Sequence, residues 1–417
     1  MHDDHCMTST VPQQVSSRIG DAATISLVGL GHGVSHYFHL ILAPLVPWLR
    51  VEFGWSYAQI GLAISVFFVA SALTQAVAGI WVDRHGPLPV LLVGLGLLAV
   101  AAMGLAVMNQ YETALGFSAL AGVGNGVFHP ADYTVLNRKV QPARLGHAYS
   151  VHSISGNLGA AAAPAVLVLV ASLYGWRAAY AVSALIALVA LAVVWHLRRH
   201  LHLPPLASQS TGQAGSMAAQ PAHFLANPML WMCFVFFVFY ATAQGTLVSF
   251  GTESARKLHE LPLALAGMCL TVYLLCSAAG SVVGGFLVAN PQRCERMIAI
   301  GFSTAALTAI AMAVLPLTAV LVVLAFGLIG CGVGVALPAR DLLVKQVAPV
   351  NSSGKTYGLV YSGIDVGMAT GPALFGVFLD RGQPVAIWWG IVFFQLLLIT
   401  TALSVRRGRA STASATV

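Results

Sequence analysis

The sequence predicts an all-α membrane protein with twelve transmembrane helices in two pseudo-symmetric six-helix bundles. Three observations carry this expectation: an apolar composition, twelve membrane-length apolar segments split six and six, and an internal repeat that lays one half on the other. Hydrophobic residues make up 58% of the 417 and charged residues 8%, against about 25% charge in soluble domains. A globule of this size cannot be covered with so little polar surface, so the chain belongs in a bilayer.

A crossing helix needs about 20 mostly apolar residues. Taken in order, the spans fall at about 23–48, 57–82, 88–108, 113–136, 146–172, 177–197, 229–251, 262–288, 297–315, 318–343, 355–379 and 385–405. The breaks are short and hold turn formers or charge, as in "DRHGPLP" (83–89), "RKVQPARLGH" (138–147), "NPQRCER" (290–296) and "RGQP" (381–384). One break is long. Residues 198–227 are rich in Pro, Ser, Gln and Ala without hydrophobic periodicity and read as a flexible linker. The expected organisation is a tail at 1–22, a bundle at 23–197, the linker at 198–227, a second bundle at 228–405 and a tail at 406–417.

Placing both termini in the cytoplasm puts Arg84, Arg138, Lys139, Arg144, Arg198, Arg199, Arg293, Arg296, Lys355, Arg406, Arg407 and Arg409 inside, and leaves Arg50, Arg177, Arg256, Lys257 and Arg381 outside. That asymmetry satisfies the positive-inside rule. It also accounts for the net charge of +7 without a nucleic-acid partner. The six cysteines, Cys6, Cys233, Cys269, Cys276, Cys294 and Cys331, show no paired spacing and suggest neither a disulfide framework nor a zinc knuckle. The opening "MHDDHC" is too polar for a signal peptide; His2, His5 and Cys6 are a loose metal-binding candidate there.

Sliding the chain by 208 residues lays 122–165 on 330–373 without a gap, with Gly122, Gly124, Gly126, Val127, Pro130, Ala131, Gly146, Tyr149, Gly159, Ala161, Pro164 and Ala165 on identical residues. Two such halves in the same orientation imply a pseudo-two-fold axis along the membrane normal, about which the bundles can rock around a central site.

At this point the sequence resembles a known family. "GIWVDRHG" is similar to the G-x-x-x-D-R-x-G signature of the major facilitator superfamily at Gly79, Asp83, Arg84 and Gly86, with Pro87-Leu88-Pro89 where basic residues usually follow. "GNLGAAAAP" resembles the family's motif C, associated with exporters, at Gly156, Gly159 and Pro164, with Ala163 where Gly normally precedes Pro. "FHP" followed by "GNLG" resembles the fosmidomycin-resistance branch of drug exporters, which usually carries Glu where this chain has Ala131 and then Asp132. The resemblance implies a multi-pass protein of a bacterial inner membrane, acting as a monomer by alternating access. It implies proton-coupled export of a drug or of an amphipathic or anionic metabolite. Uptake of an organic anion and export of a metal or metal chelate are the alternatives.

Ionisable residues within spans are the functional candidates, because a charge at mid-membrane costs several kcal/mol unless it meets a partner or a wet cavity. Asp365 lies near the centre of the eleventh span and can take up or release a proton as its exposure changes; its repeat counterpart is Asn157. A structural role, held by Tyr361 one turn earlier, is the competing reading.

His32, His36 and His39 in "HGVSHYFH" share one helix face. Three readings are open: substrate-cavity lining, helix-packing hydrogen bonds, or a metal site. A single helix rarely completes a metal site, no carboxylate is interleaved, and the repeat counterparts Tyr240 and Gln244 keep polarity rather than ligation. No resident metal or other cofactor is therefore expected.

Asp132 and Arg340 are repeat equivalents of opposite sign, beside the paired prolines Pro130 and Pro338. They are candidates for a cytoplasmic gate whose charges pair when that side closes, with His129 and Asp341 nearby. The alternative pairs Asp132 with Arg138 or Arg144 and Arg340 with Asp341. His129 and His152, opposite apolar Leu337 and Val360, fit either substrate contact or packing.

A membrane-embedded enzyme lacks its signals here: no H-E-x-x-H, no G-x-S-x-G and no further histidine clusters of a desaturase. No G-x-x-x-x-G-K-[ST] loop provides for ATP-driven pumping. A receptor that keeps a transporter's shape is the third class. The partners expected are a small-molecule substrate, protons and the lipid bilayer, with no nucleic acid.

Overall fold

A computed structural model of the chain describes residues 18–141, 144–203, 228–287, 294–347 and 353–414. The terminal residues 1–17 and 415–417 and most of the expected linker lie outside the described residues. All twelve expected spans are helical, and three of them are interrupted.

The first span is α1 (Arg18–His39), then a tight turn over Ala43–Leu45 containing Pro44, then α2 (Val46–Phe53). Next comes α3 (Tyr57–His85), opened by a capping box. The Ser56 hydroxyl accepts from the Gln59 amide at 3.0 Å and Gln59 Oε1 accepts from the Ser56 amide at 2.9 Å. It stops at Gly86, whose φ of +82° suits glycine, and α4 (Pro87–Ala106) follows with proline at its first position. The fourth span is α5 (Tyr111–Asn125) and α6 (Phe128–Lys139); α7 (Leu145–Tyr174) and α8 (Trp176–His196) complete the first half.

The second half opens with α9 (Pro228–Thr246), a π-helical turn over Leu247–Gly251 and α10 (Thr252–His259). It continues through α11 (Leu263–Leu287), α12 (Cys294–Val314), α13 (Ala319–Val347), α14 (Ser353–Asp380) and α15 (Val385–Ser414).

The interruptions respect the repeat in one case and break it in another. Under the 208-residue shift the π turn falls on positions 39–43, where α1 ends, so the leading span of each half loses α-register at the same place. The prolines differ. The fourth span is broken at Gly126-Val127, just before Pro130, whereas α13 runs unbroken through Pro338. The paired prolines thus stand in unlike settings, one just after a break and one inside a continuous helix.

The halves differ at Asn125, beside the break. Its Nδ2 donates to Ser71 Oγ at 2.9 Å; the close approach of Gly126 to the Ser71 carbonyl is shared by its counterpart Gly334 on that of Ser277 and does not separate the halves. The counterpart of Asn125 is Val333, which offers no such hydrogen bond.

Within each half, α1 packs on α7, α3 on α5, α4 on α8, α9 on α14, α11 on α13 and α12 on α15. Two seams join the halves, α3 against α14 and α7 against α11. The first depends on small residues: Gly61 rests on the Pro372 carbonyl and Gly376 on that of Tyr57, which lets the backbones touch. Outward faces carry exposed Leu73, Val77, Leu169, Leu173, Leu324 and Leu328, as lipid contact requires. Exposed Tyr174 and Trp389 lie at one end of the bundle and Trp81, Trp195 and Trp231 at the other, which marks two aromatic belts.

Candidate functional site

Histidines from three helices meet inside the first half. His32, His36 and His39 share one face of α1, His129 comes from α6 just after the break, and His152 comes from α7. The His32 ring lies 4.4 Å from His36, 5.4 Å from His129 and, stacked, 3.5 Å from His152; His36 lies 4.4 Å from His39 and 6.1 Å from His129. A glycine makes the space. A Cβ at Gly156 would stand 2.7 Å from His32 Cε1 and 3.1 Å from His36 Nδ1, and one at Gly159 would overlap the Gly33 carbonyl. The two motif C-like glycines are therefore where α7 closes on α1, while Pro164 sits further along, at a small cavity shared with Pro44, Ser249 and Glu253.

Hydrogen bonds set the chemistry of the rings. His32 Nδ1 lies 2.8 Å from the His152 carbonyl, which only accepts, so Nδ1 carries the proton. His152 Nε2 is 3.2 Å from Asp132 Oδ2 in a buried pair. His129 Nδ1 lies 2.9 Å from Gln75 Oε1, and Gln75 Nε2 donates across the seam to Asp365 Oδ2 at 3.5 Å. Asp365 is buried, 7% exposed. A polar chain thus runs from Asp365 in the second half through Gln75 to the histidines of the first. Gln75 stands in the apolar run "ALTQAVAG" and is missed by motif reading; its only sequence signal is polarity inside a span.

The other candidates are spread over both halves. No ion pair joins Asp132 to Arg340 among the described residues. Asp132 is fully buried against His152, and the Arg340 guanidinium lies 4.8 Å from the Tyr240 ring and 4.9 Å from that of Phe237. Arg144, the other suggested partner of Asp132, pairs with Asp21 at 2.9 Å. The repeat explains the geometry. Asp132 stands by His32 and Arg340 by Tyr240, equivalent positions in the two halves, so each bundle tucks its charge against its own leading span.

Tyr240 and Gln244 line a cavity inside the second half, with Tyr273, Phe302 and Gln395, and do not join the histidines. Tyr361 packs its ring 5.0 Å from Phe237, and Asn157 is half-buried on α7 beside Gly156. The side chain of Asp341 lies outside the described residues. In the "GIWVDRHG" motif Asp83 and Arg84 are exposed, and Gly86 supplies the turn between α3 and α4.

A second polar cluster, absent from the sequence reading, ties the halves at the end carrying Tyr57 and Asp380. The Asp380 carboxylate accepts from the Tyr57 and Ala58 amides at 2.7 and 2.8 Å, capping α3 from the other bundle, and pairs with Arg50 at 3.5 Å. The Tyr57 hydroxyl donates to Glu253, which Arg256 holds through two hydrogen bonds of 2.8 and 2.9 Å. Arg50 and Lys257 lie 3.6 and 4.3 Å from the centre of the Tyr57 ring. Further along the same seam Ser65 donates to the Ala369 carbonyl.

Comparison with known proteins fits this architecture. The family model for the Major Facilitator Superfamily matches residues 28–318 and 255–416, and the chain belongs to that family. The fosmidomycin resistance protein of Escherichia coli strain K12 is 27% identical over 63% of this chain and 64% of its own length, a little under two thirds. An uncharacterized transporter of the same superfamily from Yersinia pestis is 23% identical over 95% of this chain and 96% of its own. The crystal structure of a bacterial homologue of the human lysosomal transporter Spinster superposes with a TM-score of 0.73 at 15% identity, covering 94% of this chain and 98% of that one. Family and relatives set the chain among transporters rather than membrane enzymes.

Proposed function

We propose that the protein is a secondary active transporter that exports a small anionic or amphipathic compound in exchange for protons, with both termini in the cytoplasm. The observation that carries the reading is Asp365, a buried carboxylate on the seam between the halves, whose one hydrogen bond among the described residues is the long one from Gln75. An ionised carboxylate at that depth is costly unless it can exchange its charge with a proton or a partner, and a seam between rocking bundles is where exposure changes most. Arg340 supports an anionic substrate: its guanidinium sits among Tyr240 and Phe237, beside the second-half cavity that Tyr240 and Gln244 line. Export draws on the motif C-like glycines and on the relative named for fosmidomycin resistance.

The test is proton movement in proteoliposomes challenged with a panel of phosphonates, carboxylates and lipophilic drugs. A responding compound should be accumulated against its gradient when a pH gradient is imposed. Asp365→Asn should abolish that uphill accumulation while counterflow exchange of the same compound survives. Undiminished uphill transport in the variant removes Asp365 from coupling.

A further inference from the structure

The histidine cluster has a property that substrate lining does not require. We propose that His32, His36 and His129 bind one divalent first-row transition metal ion of the zinc class. One ligand nitrogen from each lies within 4.8 Å of the other two. Bound tetrahedrally, at metal–nitrogen distances near 2.0–2.1 Å, the nitrogens would stand about 3.3 Å apart, so small ring rotations close the set.

The rings suit the task in three respects. Their planes are tilted at 56°, 64° and 86° to one another, so their lone pairs can converge. The tautomers of His32 and His129 are arranged from outside. The His152 carbonyl takes the Nδ1 proton of His32, which leaves the lone pair on Nε2, and His32 Nε2 and His36 Nε2 are buried without a hydrogen-bond partner. At His129 the same service comes from Gln75, whose amide is oriented because its Nε2 donates to Asp365 and its Oε1 therefore faces His129 Nδ1. A carbonyl oxygen on the far nitrogen is how metal-ligating histidines are held and their ligating nitrogen chosen. Finally, His36 and His129 are only partly buried, and three protein ligands leave a fourth position for water or a transported ligand.

The neighbouring triad of His32, Asp132 and His152 also gathers within 4.8 Å, but it is the weaker set. His32 and His152 are stacked at 20°, which turns their lone pairs aside, and His152 Nε2 is already committed to Asp132. Nitrogen donors favour zinc, cobalt, nickel or copper over magnesium or calcium. The objection that one helix cannot complete a site falls, because α6 contributes His129 and α7 the carbonyl behind His32.

The inference concerns binding and stands apart from the transport reading. Full-length protein, purified in detergent without a polyhistidine tag, is titrated with Co2+ and followed by visible absorption and calorimetry, then back-titrated with Zn2+. The expected result is saturation at about one Co2+ per chain, with a ligand-field spectrum that Zn2+ abolishes. His36→Gln and His129→Gln should each weaken binding at least tenfold, while His2→Ala with His5→Ala leaves it unchanged.

Should a variant fail to fold, histidine carbethoxylation of the wild-type protein, mapped by mass spectrometry with and without Zn2+, gives the same answer through protection of His36 and His129. No saturable Co2+ binding, full binding in both Gln variants, loss of binding with His2 and His5, or no zinc protection at 36 and 129 would each overturn the proposal.

Discussion

At the scale of single residues, Gly156 shows how a small side chain organises a site it never touches chemically. An added methyl group would press on His32 and His36 at 2.7 and 3.1 Å, closer than van der Waals contact allows, while the α1–α7 seam holds both backbones in place. Gly156→Ala should therefore lower stability by about 1–3 kcal/mol, the ordinary cost of overpacking. Its melting temperature in detergent should fall accordingly. The same variant should displace the imidazoles and weaken Co2+ binding with them; a variant as stable as wild type would mean that the helices separate freely here.

At the scale of elements, the broken fourth span and the continuous tenth are one repeated segment with two outcomes. Both carry proline at the equivalent place, so proline alone does not decide. Asn125, bonded to Ser71, ties α5 to α3 where the helix parts, and α6 carries His129 and Asp132 just beyond. Exchanging Asn125 for the Val of the second half should cost about 1–2 kcal/mol, the value of a buried hydrogen bond and of the hydroxyl left behind. Thermal unfolding of Asn125→Val measures this, and an unchanged melting temperature would mean that the Asn125–Ser71 bond contributes no net stability.

At the scale of the whole molecule, the seam is zipped from the Tyr57–Asp380 end, through Ser65–Ala369, to Gln75–Asp365. If the positive-inside expectation holds, this end faces outward and the outer side is the one sealed here. Asp380 reads as the latch, since it caps a helix of one bundle from the other. Asp380→Asn replaces charge-assisted bonds with weaker ones and should favour the outward-open arrangement by about 1–2 kcal/mol, fivefold to thirtyfold in population. Spin labels at 112 and 383, on opposite halves at this end, should then show longer distances than in the wild type. Identical distance distributions would mean that the latch bears no part of the preference.

Composition and hydropathy by themselves determined the twelve spans, because lipid demands membrane-length apolar helices whatever else the chain does. The self-match at 208 residues determined the two-bundle plan, and unusual chemistry in an apolar setting singled out Asp365 and the α1 histidines. What the sequence could not decide depends on contacts between residues far apart along the chain. Gln75 meets Asp365 across the seam, His129 and His152 come to α1 from two other helices, and Asp380 caps α3 from the opposite bundle; none of these pairings leaves a periodicity to read. Asp132 and Arg340, expected to meet only when the cytoplasmic side closes, stand apart in this conformation, each against its own bundle. Equivalent positions in a repeat share an environment inside their own bundles, and only the packing of the helices shows that each charge faces its own half.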